Sequence, residues 1–194
     1  MTKNTLLNIG IIICKFLRLL QVVILVILTG VFVHLQISPS NYKNVDIDFK
    51  NSTRGISFKT TSSYKTHVDG QVPEDLDVFT VNKLKTSSLF FNYIKLSLLL
   101  VMSFLCLKEF QKVIESVKEI KTFQKRNVSS FRKIGKYLLI IFILVSYSSF
   151  TFQQGGTSGF HISLEFPILA LLSYIIAEIF MEGNKLSEEN KLTV

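Results

Sequence analysis

The sequence has little cysteine, little proline and no tryptophan. Its 194 residues include two Cys and three Pro, and charged residues make up 19% of the chain. So few cysteines exclude a disulfide-stapled secreted module, and an apolar share of 48% excludes disordered or collagen-like sequence. Cys14 and Cys106 stand too far apart for a metal-binding motif, so both are predicted to be small buried apolar side chains.

Enzyme motifs are missing as well. The sequence contains no nucleophile elbow, phosphate-binding loop, HExxH helix or dinucleotide fingerprint. Gly155 and Gly156 are predicted to form a turn, and His34 and His161 lack a fixed ligand spacing. We therefore expect neither an enzyme nor a bound cofactor or metal.

What the chain does contain is four long apolar blocks. A helix needs about 20 apolar residues to cross a hydrocarbon core about 30 Å thick, and core helices of a soluble domain would keep a polar face. The first block is long and has no small-residue cleavage pattern, which favours a retained helix over a signal peptide. The sequence predicts a single all-α integral membrane domain over 1–194, with four transmembrane helices at about 19–37, 87–107, 136–152 and 160–181.

The charges predict the orientation of these helices. Residues 108–136 hold nine Lys/Arg and three Glu, a net of +6, whereas 38–86 hold seven Lys/Arg and six Asp/Glu. Short basic loops stay in the cytoplasm. We therefore predict a cytoplasmic N-terminus, a cytoplasmic basic loop at 108–135, a cytoplasmic tail at 182–194 and an external loop at 38–86.

Two loops carry a pattern of their own. In the external loop, residues 45–50, 55–60 and 63–70 alternate apolar with polar residues, which predicts two or three strands of a small external sheet. Apolar residues from Phe110 to Phe123 recur every three or four positions, which predicts an amphipathic helix that continues the second span. Its apolar stripe packs on Leu6–Leu17, lies on the membrane surface, or binds a soluble partner.

Two strings in the second half of the chain resemble a known family. NVSSFRKIGKYLL starts at Asn127, and either Asn127 or Ser129 is predicted to cap the third helix; IIAEIFMEGNKLSEENKLTV starts at Ile175. Both strings resemble the bacterial membrane proteins grouped as domain of unknown function 2975, although Thr122 stands where relatives often have proline. The resemblance implies a four-span inner-membrane protein of unestablished activity, often encoded beside a small helix-turn-helix regulator.

Charged residues inside the spans are the candidate functional residues. Glu178, Glu165 and Lys95 lie in apolar blocks, where a charge costs about 2.5 kcal/mol or more. Glu178 is predicted to pair with Arg132 or Lys133, and Lys95 either snorkels outward or pairs with Glu165. Pro167 is predicted to start or kink the fourth helix. The candidate cytoplasmic interaction residues are Arg132, Lys133, Lys125 and Arg126.

Two functions remain open. The favoured one is an accessory or regulatory protein of the bacterial inner membrane, which contacts a soluble regulator through its basic loop or tail. The alternative is a small transporter or channel subunit, which would have to act as a homo-oligomer. The basic loop lacks a nucleic-acid-binding fold and interleaved aromatic residues, so direct nucleic-acid binding is not expected.

Overall fold

A computed structural model describes residues 3–43, 45, 56–63, 80–119, 123–153 and 155–192. The fold is mostly helical. Its elements, in chain order, are α1 (Lys3–Ile37), β1 (Ile56–Ser63), α2 (Thr86–Lys118), α3 (Lys125–Ser146), β2 (Tyr147–Phe152), β3 (Gly155–Ile162) and α4 (Glu165–Leu192), with short 3-10 turns at Pro39–Tyr42 and Val81–Lys83.

Three helices are long and apolar enough to cross a membrane. They comprise Thr5–Ile37, Thr86–Lys118 and Glu165–Glu189. Large apolar side chains on α1 remain exposed, as Leu19 (64%) and Val26 (67%) do. A soluble protein does not leave such a helix bare, because the exposed apolar area strongly favours removal from water. The predicted membrane character is confirmed for three of the four blocks.

The third block departs from the prediction, and four spans are not confirmed. Helix α3 ends at Ser146, and residues 147–152, which were predicted to be helical, form strand β2. The sequence YSSFTF explains the change, since Ser and Thr favour caps and extended backbone and aromatic residues pack well in strands. The first half of α3 carries five cations, which leaves only the ten uncharged residues from Tyr137 to Ser146.

The fourth block is also shorter as a helix than predicted. Residues 160–162 belong to β3, and α4 starts at Glu165, so the prediction of helix from Phe160 is wrong for the first five residues. Pro167 lies in the first turn of α4, as predicted, where its missing N–H group costs no intrahelical hydrogen bond.

One small sheet joins segments that are distant in the chain. Its strand order is β1-β3-β2, and both pairings are antiparallel, with Phe58 opposite Phe160 and Tyr147 also opposite Phe160. Strand β1 coincides with the predicted strand at 55–60, whereas residues 46–50 and 64–70 lie outside the described residues. Gly155 and Gly156, which were predicted to form a turn, are the first two residues of β3. Gly159 suits it, because a Cβ there would lie 3.2 Å from Ser148 Oγ.

The chain forms two compact units. Unit 1 contains Met1–Ile24, Leu99–Ile143 and Leu164–Val194, and unit 2 contains Leu25–Leu98 and Leu144–Ser163. The core of unit 1 consists of Val113, Val128, Phe131, Ile134 and Ala177.

The predicted amphipathic helix is the last part of α2, which runs on to Lys118. Its Val113 is 5% exposed, and Ile114 lies against Gly10 of α1, where an added Cβ would come within 3.4 Å. The apolar stripe therefore packs at least partly on the Leu6–Leu17 stretch of the same chain.

Candidate functional site

In unit 1, the two strings that carry the family resemblance pack against each other. The rings of Phe131 on α3 and Phe180 on α4 lie 5.1 Å apart between centroids. Ala177 is fully buried between the helices, and Ser173 Oγ donates to the carbonyl oxygen of Phe131 at 2.7 Å. Small residues on α4 let α3 come close, so both strings contribute to one packed structure.

Two glycines in these strings are needed for close approach. A Cβ at Gly135 would lie 2.9 Å from the ring of Tyr174, and one at Gly183 would overlap the ring of Phe123. Asn184 Nδ2 also donates to the carbonyl oxygen of Phe123 at 2.8 Å, which ties the residues before α3 to α4. No larger residue fits at either glycine unless these aromatic rings move.

Buried polar groups fasten α3 to α2. Asn127 is fully buried, and its Nδ2 donates to Ser116 Oγ of α2 at 2.8 Å. Because α3 begins at Lys125, Asn127 lies inside the helix and is not its cap, so that prediction is wrong. The carboxylate of Glu109, a residue that is 6% exposed, accepts from Ser130 Oγ at 2.8 Å and from Lys112 Nζ at 2.5 Å. A buried carboxylate requires such partners, which restrict where α3 can sit on α2.

The predicted pairing of Glu178 with Arg132 is confirmed. Arg132 Nη2 lies 2.8 Å from Glu178 Oε1, and it also contacts Met181 Sδ at 3.7 Å. The two side chains are 47% and 55% exposed. Pairs this exposed contribute about 0.2–1 kcal/mol in water, so burial of the neighbouring apolar residues does more to hold α3 on α4.

The exposed side of α3, which includes Arg132, is a basic face. We use this name for Lys125, Arg126, Arg132, Lys133 and Lys136, all exposed. Lys125 lies 3.4 Å from Glu188 of α4, and its side chain is 82% exposed. Because Asn127, Val128, Phe131 and Ile134 are buried, the helix that carries these cations is fixed in place.

In unit 2, Lys95 belongs to a polar stripe on α2, which we define as Ser88, Asn92 and Lys95. Lys95 Nζ donates to the carbonyl oxygen of Tyr147, and Asn92 Nδ2 donates to that of Ser149 at 2.9 Å. Ser88 Oγ accepts from the backbone N–H of Thr151 at 3.0 Å. The stripe thus forms hydrogen bonds with backbone groups of alternate residues along the edge of β2 that faces away from β3.

Sequence reasoning missed Ser88 and Asn92, although their spacing from Lys95 was a usable signal. Three polar residues at positions i, i+4 and i+7 fall on one face of a helix, here inside an otherwise apolar block. Glu165, the predicted alternative partner of Lys95, is the first residue of α4. Its pairing with Lys95 stays a prediction.

The remaining candidate ligands lie apart. His34 Nδ1 is 2.8 Å from the hydroxyl of Tyr42, and His161 lies on β3 opposite Ser57 of β1. Within the described part of the chain, no three His, Cys, Asp or Glu side chains gather as a metal site requires. Cys14 and Cys106 are free thiols.

Comparison with known proteins gives one match. A family model described as "Protein of unknown function (DUF2975)" matches residues 63–194. The match contains both strings and all of α2, α3 and α4, together with β2 and β3. No curated protein and no solved structure matches the chain.

Proposed function

This chain belongs to the DUF2975 family of proteins of unknown function, and from that premise we propose that it is an accessory or regulatory protein of the bacterial inner membrane. It acts through the basic face of α3, which binds an acidic surface of a soluble cytoplasmic partner. The observation that carries the proposal is the contrast within α3: one side is buried on α2 and α4, and the other displays cations.

The proposed protein crosses the membrane four times, with α3 as the third crossing. Helices α2 and α3 are each continuous, and they touch near both ends of α3. Asn127 contacts Ser116, and Tyr147, which follows α3, contacts Lys95. The charge-free part of α3, residues 137–146, rises about 15 Å, so the proposed crossing is short, and the long side chains of Arg132, Lys133 and Lys136 reach the cytoplasmic interface from it.

Four crossings place both termini on one side, and the charges favour the cytoplasmic side. The cations of residues 108–136 and of the first 18 residues then lie inside, and residues 38–86 lie outside. The basic face lies at the cytoplasmic end of the third crossing, within reach of soluble proteins.

Contacts between the spans favour this role over a transporter or channel subunit. Several polar side chains in the apolar helices bond to each other: Gln21 Nε2 donates to Ser103 Oγ at 2.7 Å, and Arg18 Nη1 donates to Gln111 Oε1 at 2.9 Å. Groups used in this way hold α1 on α2. A transport path needs several polar groups that face a cavity.

Neutralising the basic face tests the proposal. We expect the triple variant Arg126→Gln, Lys133→Gln, Lys136→Gln, whose loop keeps a net charge of +3 and therefore its cytoplasmic side, to reach the membrane in normal amounts and to recover about tenfold less of its partner, the change that a loss of about 1.4 kcal/mol produces. The measurement is affinity capture from solubilised membranes, with identification of the captured protein and quantification of neighbouring transcripts.

The matched control also replaces three cations by Gln, at Lys43, Lys83 and Lys85 of unit 2. We expect this control to capture the partner as the parent chain does. Two results would contradict the regulatory role: recovery of no cytoplasmic protein by the parent chain together with unchanged neighbouring transcripts after deletion, or equal loss of capture in both triple variants.

A further inference from the structure

The sheet of unit 2 carries an aromatic row on one face. Phe58, Phe160 and Tyr147 lie on β1, β3 and β2, and the strand register places them side by side. They are 65%, 46% and 45% exposed. Three large rings side by side and open to the surroundings are unusual on a small sheet, because exposed apolar area favours removal from water.

This face changes from apolar to polar along the strands. On one side of the aromatic row, two positions along the strands, Ile56 pairs with Ile162. On the other side of the row, Thr60 pairs with Ser158, and Ser158 pairs with Ser149. The opposite face is used differently, since Phe152 and Thr157 there are only 3% and 5% exposed. The exposed face is therefore amphipathic along the strand direction.

The apolar end of this face continues the exposed apolar surface of α2. The ring of Tyr147 packs edge-on against Phe91 with centroids 6.1 Å apart, and Lys95 donates to the carbonyl oxygen of Tyr147. Phe91 (44% exposed) and Ile94 (60% exposed) lie in the same stretch of α2. Lys95 is nine residues into α2, about 14 Å along its axis, whereas Ser88, which contacts the polar half of β2, is only two residues in.

We propose that the aromatic row inserts into the headgroup and acyl-chain boundary of the outer leaflet, so that the sheet is bound to the lipid surface. The apolar end then lies deeper, beside the apolar part of α2, and the Ser/Thr end faces water. Aromatic side chains are enriched at this boundary, and apolar faces bury about 5–10 Å into it. The inference rests on the proposed membrane location and adds a lipid-binding surface that is not a span.

Single tryptophans test the inference, because the chain has none of its own. The test variants are Phe58→Trp and Phe160→Trp. Phe160→Trp keeps the test possible if Phe58→Trp does not fold. Ser57→Trp places the reporter on the opposite face, one residue away, and Val26→Trp places it on the exposed surface of α1. Each protein is reconstituted into phosphatidylcholine vesicles with or without brominated acyl chains, and its emission is recorded.

Bromine quenches tryptophan only at short range. We expect Phe58→Trp and Phe160→Trp to lose emission in the brominated vesicles, nearly as strongly as Val26→Trp, and to emit at shorter wavelength than Ser57→Trp. The inference is overturned if Val26→Trp is quenched while both row variants behave like Ser57→Trp. It is also overturned if the emission of the two row variants is not quenched by bromine but changes when the protein is diluted in lipid. A second copy of the chain would then cover the aromatic row. If Val26→Trp itself escapes quenching, the membrane location fails and the inference fails with it.

Discussion

Asn92→Leu is expected to lower the free energy of unfolding by about 1–3 kcal/mol, the cost of leaving a buried polar group without its partner. Asn92 Nδ2 donates to the carbonyl oxygens of Ser88 and Ser149. Leucine has a similar volume but no donor, so the Ser149 carbonyl would remain unsatisfied against an apolar helix. The measurement is unfolding of the purified protein in mild detergent by titration with a denaturing detergent, followed by circular dichroism.

Asn41→Leu is the matched control. Asn41 is exposed in the short turn after α1, and the same change there should alter stability by about 0.5 kcal/mol or less. Equal stability of Asn92→Leu and the parent chain would mean that the polar stripe of α2 does not hold the sheet edge.

The expected size of this effect follows from where the edge lies. A strand edge that packs on an apolar helix needs protein partners, because its N–H and C=O groups are shielded from water there. Around β2, α2 and the residues before it provide the partners: besides the polar stripe, Lys85 N donates to Thr151 O at 2.9 Å and Gln153 N donates to Lys83 O at 3.0 Å. The ammonium group of Lys95 thus donates a hydrogen bond to a backbone carbonyl of this edge.

Phe131→Ala is expected to cost about 3–5 kcal/mol, the largest effect that we predict for a single substitution. Phe131 is 9% exposed, belongs to the core of unit 1 and packs on Phe180. Removing its ring leaves a cavity between α3 and α4 that the fixed helices cannot close. The same unfolding titration measures the loss, and a lower yield of folded protein in membranes should accompany it.

Phe110→Ala is the control within the same unit. Phe110 is 45% exposed on α2, so its truncation should cost about 1 kcal/mol or less. If the two alanine variants lose equal stability, the packing of the two strings is not the centre of unit 1.

The sequence predicts well what depends on neighbouring residues. Apolar blocks indicate helices that can span a membrane, since hydropathy over about 20 residues is enough to decide this. The Arg132–Glu178 pair was also predictable, because a carboxylate at the end of a span needs a cation and the basic string before the third helix provides two.

The sheet could not be predicted in full, because its strands come from distant parts of the chain. Ile56 pairs with Ile162, and no feature of the sequence around either residue identifies the other as its pairing partner. The change from helix to strand after Ser146 is hidden for a related reason. Residues 147–152 mix aromatic residues with Ser and Thr, a composition that fits the end of a span as well as a strand, and the choice depends on a partner strand and on the polar stripe of α2.

The burial of certain polar residues also could not be predicted from the sequence. Asn127 fits a helix cap by its position, and Glu109 fits the polar side of an amphipathic helix. Both are buried because α3 packs on α2 and brings Ser116 and Ser130 to them. Only the tertiary contact distinguishes a buried amide from a cap.

The central claim is that α3 makes a third crossing, so that the chain crosses the membrane four times. Single cysteines at Lys15, Lys85, Lys136 and Glu182, with Cys14 and Cys106 replaced by alanine, test it by labelling intact cells with a membrane-impermeant thiol reagent. We predict labelling at Lys85 alone, with the other three positions labelled only after the membrane is permeabilised. Labelling at Glu182 in intact cells, with Lys15 protected, would mean three crossings and would contradict the account.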